Sequence, residues 1–571
     1  MYGSEMAILI PDVDHADCFL FLGMNPAVSK MVWLDIVADG WNRIIAAQAR
    51  GADLIVVDPR ETQTTRKANT HVRVKPGQDW ALLLAIIKVV FEHSWQHQED
   101  CNAASGVSII QEIAEGADIA DLSLRCGVAV EQIVDIATRF AKANSAVCVA
   151  RTGISQNKNG TVAEWLSHVL NLITGRIDKQ GGRYFSHGVF KDALKFLDKL
   201  APPIARRSRI GNHEAISGAY PLAILADEIL TPGEDQIRAL IINGGNPVIS
   251  GPDGARLDAA FEDLDLLVAI DFFQRESHRH ADWLIPGSHF LERDEFYLLF
   301  SGFYDRSFTQ LGRQVVPPPN GVKTEWDFYV DLCLAMKAPF NGVLGFNAVI
   351  RLSRKLAQLT KNPRLAFNVR WIWALIVKLA TPLRWKDIAN QPQGLVYGEK
   401  TYGHLKSALK TVDGKIAAAP VNFVAALQRR VNSSEGLEAQ SDYPLQLVSL
   451  RDNTMMNSWL VETVKRKGIG GDFIEIHPSD AERYAIEDNQ IVRVRSSIGQ
   501  TDIKTMVSEK IAPGTVCIPH GWGSRLFDPV NGTDSEVKGV NRNLLIASDD
   551  LDELSGMPSL NGTFVAVSAL Q

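Results

Sequence analysis

Two aspartates, Asp58 and Asp271, each end a short apolar run, DLIVVD in the first case and DLLVAID in the second. A carboxylate in that position can accept hydrogen bonds from ribose hydroxyls or from the N–H groups of a purine ring. Each is preceded by another apolar run that closes in a Gly-x-Asn-Pro turn, with Gly23 and Asn25 in one and Gly244 and Asn246 in the other. Glycine there removes a side chain and lets backbone approach a ligand closely. The same residues can also be read as helix caps and strand breakers, and one copy alone does not separate the two readings.

The elements that must position these residues occur twice, in one order. A strand enters Gly-x-Asn-Pro, a second ends in Asp, and a third ends in Pro-Gly, as HVRVKPG and ADWLIPG. The distance from Asn25 to Asp58 is 33 residues, and from Asn246 to Asp271 it is 25. Repetition of three strand ends points to a duplicated unit. The runs are rich in Val, Ile and Leu without alternation, which predicts parallel strands buried on both faces. In an open α/β sheet, ligands bind outside the carboxyl ends of the strands, where the repeated residues fall. The expected fold class is α/β, with two pseudo-symmetric, Rossmann-like nucleotide-binding domains. After Gly77, Asp79 opens a long apolar helix, a position where Asp is most often a cap.

Composition narrows the classes of function. Hydrophobic content is 46% and charged content 22%, as in ordinary globular proteins. A net charge of −7 with no evident basic patch argues against a nucleic-acid partner. The six cysteines are scattered without C-x-x-C spacing, so neither a zinc nor an iron–sulfur site is written here, and no metal ligand is assigned. Their use fits a reducing, cytoplasmic setting. The most membrane-like segment, residues 365–383, carries Arg370 and Lys378 and ends at Pro382, so it reads as a core helix or an interface contact, with no membrane span.

Along the chain, residues 1–185 read as the first α/β domain and 186–320 as the second. Residues 321–440 form a helical extension that ends in a polar linker, VNSSEGLEAQSD. Residues 441–571 turn to strands and form a barrel-like domain, with IVRVRS and DIKTMV as a hairpin. A loop holding Gly153, Gln156, Asn157 and Asn159 offers amide groups and no nucleophile. An ordinary nucleotide-dependent dehydrogenase ranks last, because neither copy carries G-x-G-x-x-G.

Ten short motifs, in order from about residue 16 to 560, resemble the molybdopterin-dinucleotide oxidoreductases of the dimethyl-sulfoxide-reductase type, which include formate dehydrogenases and nitrate reductases. They are LGMNP, VVDPR, KPGQD, GISQNKNGT, LITGRIDKQGG, INGGNP, AIDFFQRESHRHADWLIPG, HPSDA, PHGWG and NRNLL. The resemblance implies two molybdopterin guanine dinucleotides holding molybdenum or tungsten, and a C-terminal barrel of the double-psi type. By matching motif, Gly23, Asn25, Asp58, Arg60, Gly77 and Asp79 would serve one nucleotide. Gly244, Asn246, Asp271 and Ser277 would serve the other. Gln156 would approach the pterin, while Arg451, His520, Asn541 and Asn543 would close over the pterins.

Family members begin with a Cys-rich iron–sulfur domain and a segment that gives the metal a protein ligand, both ahead of the first Gly-x-Asn-Pro. Here 22 residues precede Gly23, and Cys18 among them lies in a strand. The resemblance therefore implies a member lacking its N-terminal part, with the 4Fe–4S cluster in that missing part. The expected function is oxidation or reduction of a small-molecule substrate, with electrons leaving through a cluster not encoded here. An N-terminal fragment or an electron-transfer subunit would complete it. The competing expectation is a catalytically incompetent, truncated cofactor-binding remnant. Catalytic residues and substrate stay unassigned.

Overall fold

The computed structural model describes residues 1–4, 7–29, 37–185, 207–216, 218–297, 303–343, 345–433, 442–462, 470–528 and 530–570. Most of the polar linker expected before the barrel, and the expected start of the second domain at 186, lie outside the described residues.

The first sheet contains β1 (Cys18–Leu22), β2 (Asp53–Val57), β3 (Thr70–Val72) and β4 (Ala146–Ala150). All pair in parallel in the order β3-β2-β1-β4. Successive side chains of a strand point to opposite faces. Cys18, Leu20 and Leu22 accordingly pack against the helices Asp79–Glu92 and Gly160–Ile173, while Phe19 and Phe21 pack with Ile44 and Ala47 on the other side. Both faces are covered, which is why the run CFLFL needs no polar alternation. The helix Val421–Asn432, far along the chain, adds Ala426 and Leu427 to the same core.

The second sheet contains β5 (Ala239–Asn243), β6 (Leu266–Asp271) and β7 (Trp283–Pro286), parallel and in the order β5-β6-β7. Its strand order matches β1-β2-β3 of the first sheet. Burial does not match, and this corrects the sequence reading. One face packs Ile242 and Leu267 against Leu257, Ala260 and Phe261 of the helix Gly254–Glu262. On the opposite face, Ile241 and Trp283, at the two ends of the paired row through Val268, are 38% and 66% exposed, although Ile270 farther along is buried.

Residues between the second sheet and the barrel include the helices Phe346–Thr360 and Val369–Ala380. The latter holds the membrane-like WIWALIVKL, but it has 12 residues and buries Trp373, Ile376 and Val377 in the protein. No helix among the described residues is long and apolar enough to cross a membrane.

The C-terminal strands are β8 (Leu445–Leu450), β9 (Phe473–Ile476), β10 (Ile491–Arg495), β11 (Gln500–Val507), β12 (Thr515–Pro519) and β13 (Thr563–Ala569). They close into a barrel in the order β8-β12-β9-β11-β10-β13. The pairs β8–β12 and β9–β11 are parallel and the other pairs antiparallel. Leu447, Ile474, Val492, Val494, Val516 and Val565 fill its interior.

Candidate functional site

The two Gly-x-Asn-Pro turns repeat in hydrogen-bonding detail. In the first, Gly23 sits at φ 58° and donates its N–H to Val57. In the second, Gly244 sits at φ 63° and donates to Ile270. Glycine is required by this left-handed backbone. The Asn25 carbonyl accepts Val28 and Ser29 N–H groups, and the Asn246 carbonyl accepts those of Ile249 and Ser250. The Asn25 side-chain oxygen accepts the Thr64 hydroxyl at 2.7 Å, and Thr64 Oγ1 accepts the Ala27 N–H at 3.1 Å. The Asn246 oxygen accepts the Ser277 hydroxyl at 2.7 Å, and Ser277 Oγ accepts the Val248 N–H at 2.9 Å. Thr64 and Ser277 each follow the strand-ending Asp by six residues. Both turns thus lie at the carboxyl edge of their sheets, beside Asp58 and Asp271.

At the first turn, a cavity of about 680 Å³ opens between the sheet edge and the barrel. Gly23, Asn25, Asp58, Arg60, Gly77, Asp79 and Gln156 line it from the α/β side, and Arg451 and His520 from the barrel side. Close backbone approach forms its floor: a Cβ on Gly153 would lie 2.6 Å from Gly23 Cα. Burial pushes the Asp58 carboxyl up to about 7, although the Arg60 N–H and guanidinium pull the other way. Burial also raises Asp79 to about 7, and the neighbouring Asp58 adds to the rise. Asp79 starts its helix without capping it, since the cap position belongs to Gln78. The buried Asp79 and half-buried Asp58 carboxyls, facing the cavity, are suited to a ligand that brings N–H groups to them.

The barrel is fastened to this cradle. Ala512 N–H donates to Pro59, Glu61 N–H donates to Lys510, and Arg60 pairs with the fully buried Glu475 of β9. Asn561 N–H donates to Gln156, and Asn157 Nδ2 donates to the Asn561 carbonyl at 2.7 Å. Burial, with Arg451 and Arg542 nearby, lowers His520 to about 3, so its imidazole is neutral at physiological pH. Its Nε2 lies 3.1 Å from Asn457 Oδ1.

The second cradle is divided. Asp271 lines a cavity of about 550 Å³ with Phe272, Phe273, Gln274 and the loop 526–528. Gly244 lines a different one, of about 820 Å³, with Arg293, Glu325 and Trp326. Trp459 stands between them: its ring lies 3.3 Å from where a Gly244 Cβ would be, and edge-on to Phe272 at 5.8 Å. Asn246 and Ser277 are buried and hydrogen-bonded to each other, so they shape the turn from behind. Asn541 and Asn543 line none of the three cavities. Their amides donate to the Val248 and Ile249 carbonyls, at 3.3 Å and 2.9 Å, and tie the barrel to the second turn.

Sequence reasoning missed several lining residues. Arg151, first after β4, faces the first cavity with an Nε that finds no partner, although it occupies a strand end like Gly23 and Asp58. Applying the strand-end rule to AVCVAR would have found it. Glu164 is the lone acid in the helix Gly160–Ile173, itself a signal. Burial opposes its ionisation, but His168, Arg183 and Arg151 together hold it below the usual carboxylate range. None of these three cavities is lined by a cysteine. Among the described residues, no group of three or more His, Cys, Asp or Glu side chains is placed to hold a metal ion.

Comparison with known proteins assigns the class. Residues 2–335 match the family described as molybdopterin oxidoreductase, and residues 445–564 match the molydopterin dinucleotide binding domain. The chain is 25% identical to the alpha subunit of F420-dependent formate dehydrogenase 1 from Methanococcus maripaludis, over 91% of this chain and 74% of that one. It is 24% identical to the assimilatory nitrate reductase catalytic subunit of Bacillus subtilis, over 91% and 72%. Acetylene hydratase from Pelobacter acetylenicus shares the fold, with a TM-score of 0.71 at 19% identity over 99% of this chain and 79% of that one. The chain belongs to the molybdopterin oxidoreductase family. Its relatives are oxidoreductases, and its dinucleotide-binding domain implies a molybdopterin cofactor carrying molybdenum or tungsten. The first cavity fits such a group: tight backbone at Gly23 and Gly153, two carboxyls raised by their surroundings, and the unpartnered Arg151 Nε.

Proposed function

We propose that this chain binds two molybdopterin guanine dinucleotides, one at each Gly-x-Asn-Pro turn, and acts in oxidation or reduction of a small molecule. The repeated Asn–hydroxyl turn supports two cofactors most directly, because two like turns at two like sheet edges suit two like ligands. When bound, the metal–pterin group supplies the redox chemistry. The chain's own residues then have separate tasks. Gly23 makes room for the Gly153–Ile154 backbone and Gly244 for the Trp459 ring, which shapes each turn, while Asp58, Asp79 and Asp271 accept N–H groups of a purine. Asn25 and Asn246, with Thr64 and Ser277, hold the turns rigid. Gln156, Arg151, Arg451 and neutral His520 line the space toward the reacting end, and Asn541 and Asn543 keep the barrel closed on the second cradle. The division into domains at 1–185, 186–320, 321–440 and 441–571 belongs to this reading, as does a cytoplasmic setting.

Electrons would leave through an iron–sulfur cluster held outside these 571 residues, on a further segment or an electron-transfer subunit. The scattered, mostly buried cysteines support that placement. The absence of a thiol in the three cavities also favours a second reading, a cofactor-binding subunit that turns over only when another polypeptide completes it. Dye-linked turnover, with molybdenum and tungsten content, separates the two readings. Metal retention with turnover only after a cluster-bearing polypeptide is added supports the second, whereas failure to retain any pterin contradicts both.

A further inference from the structure

We propose that the helices Phe346–Thr360 and Val369–Ala380 form a docking surface for an anionic lipid membrane. The overall acidic balance conceals a local basic one. From Lys337 to Lys386 the chain carries ten Lys and Arg residues and no Asp or Glu, in a protein of net charge −7. Each helix buries one narrow face, Ile350, Ser353 and Ala357 in the first and Trp373, Ile376 and Val377 in the second.

A second apolar stripe on each helix faces solvent. In Phe346–Thr360 it is Val349, Leu352, Leu356 and Leu359, at helical spacing. In Val369–Ala380 it is Trp371, Leu375 and Leu379, four residues apart. Exposure runs from 43% at Trp371 to 71% at Leu359, so these are not core side chains glimpsed through gaps. The two helices are joined on their core side through Phe367, whose ring stands edge-on to Phe346 at 5.6 Å and to Trp371 at 6.1 Å, over the buried Ile350.

Charge selects the occupant. Arg354 pairs with Asp331, and Arg370 with Asp294. Lys355, Lys361, Arg364 and Lys378 are exposed and make no ion pair among the described residues. Lys355 flanks Leu359, and Lys378 flanks Leu375, on their helical faces. A helix with Leu and Trp on one side and unneutralised Lys and Arg beside them lies in the headgroup region of a bilayer and prefers anionic lipid. The short helices would rest on the surface and not cross it.

The test is sedimentation of the full 571-residue chain with vesicles of phosphatidylcholine alone, or of equal parts phosphatidylcholine and phosphatidylglycerol. Binding is expected to the anionic vesicles and not to the neutral ones, and to fall as salt rises. Lys355→Gln and Lys378→Gln should each weaken it about fivefold. Leu375→Asp should abolish it without changing the thermal melt, since Leu375 is exposed. No binding to anionic vesicles overturns the proposal, as does binding that ignores both lipid charge and these substitutions. Duplex DNA offered in the same assay should stay unbound, and retention of the protein on DNA but not on vesicles would assign the basic surface to a different partner.

Discussion

The Asn246 side-chain oxygen accepts the Ser277 hydroxyl at 2.7 Å, and it does so 221 residues after Asn25 makes the same bond to Thr64. Both hydroxyls accept an N–H from the turn two residues beyond the asparagine. Strand order, turn backbone and side-chain bonding therefore all repeat together, and the bland reading of two unrelated strand breakers does not account for that.

Ser277→Ala should destabilise the protein by about 1–3 kcal/mol, because it leaves the buried Asn246 oxygen and Val248 N–H short of a partner. Thr64→Val should cost a similar amount at the first turn. Urea unfolding checks both; a Ser277→Ala variant as stable as the parent would remove the turn's structural basis.

Asp79→Asn should raise the melting temperature at pH 8 and leave it unchanged at pH 4. Asp79 is an acid whose burial lifts its folded pKa to about 7, well above the ordinary aspartate value of about 3.9. Folding therefore becomes less favourable as pH rises between those values, and the cost is fully present above 7. A neutral amide removes that cost. A gain that is equal at both pH values would contradict the assignment.

The same carboxyls should make cofactor affinity pH-dependent. Donors from a purine favour the ionised forms of Asp58 and Asp79, so binding releases protons below pH 7. Affinity should climb by up to about tenfold per pH unit for each proton released, then level above pH 7. Calorimetry with guanosine diphosphate, in buffers of different ionisation enthalpy, reads the proton count.

Arg60→Ala should cost about 3–5 kcal/mol, since it strands the fully buried Glu475 carboxylate beneath the barrel. Pairing the change with Glu475→Gln should recover much of the loss. Chemical denaturation of the single and double variants measures the coupling.

Much of this arrangement was legible in the sequence because strand ends carry both the turn chemistry and the ligand chemistry. The repeat, the hairpin of β10 and β11, and the strand-end place of Asp58 follow from local signals, whereas Asp79 reads locally as a cap and Gln156 as a loop amide, and only the ordered family motifs drew both toward the cavity they line. What stayed hidden depends on contacts distant along the chain. Trp459 reaches Gly244 from the barrel, and nothing local in NSWL announces it. Asn541 and Asn543 look like polar turn residues ready for a ligand, yet they are spent on backbone 293 and 294 residues away. The exposed row Ile241 and Trp283 of the second sheet was missed because an apolar strand reads the same whether or not its outer face is covered.

The central claim is two dinucleotide cradles on one chain, and guanine content tests it most directly. Metal-loaded protein, hydrolysed to release guanine nucleotide, should yield two guanines for each molybdenum or tungsten. Asp58→Ala and Asp271→Ala should each lower that yield, by weakening one site about tenfold to a hundredfold. One guanine per metal, or a yield untouched by either substitution, would contradict the account.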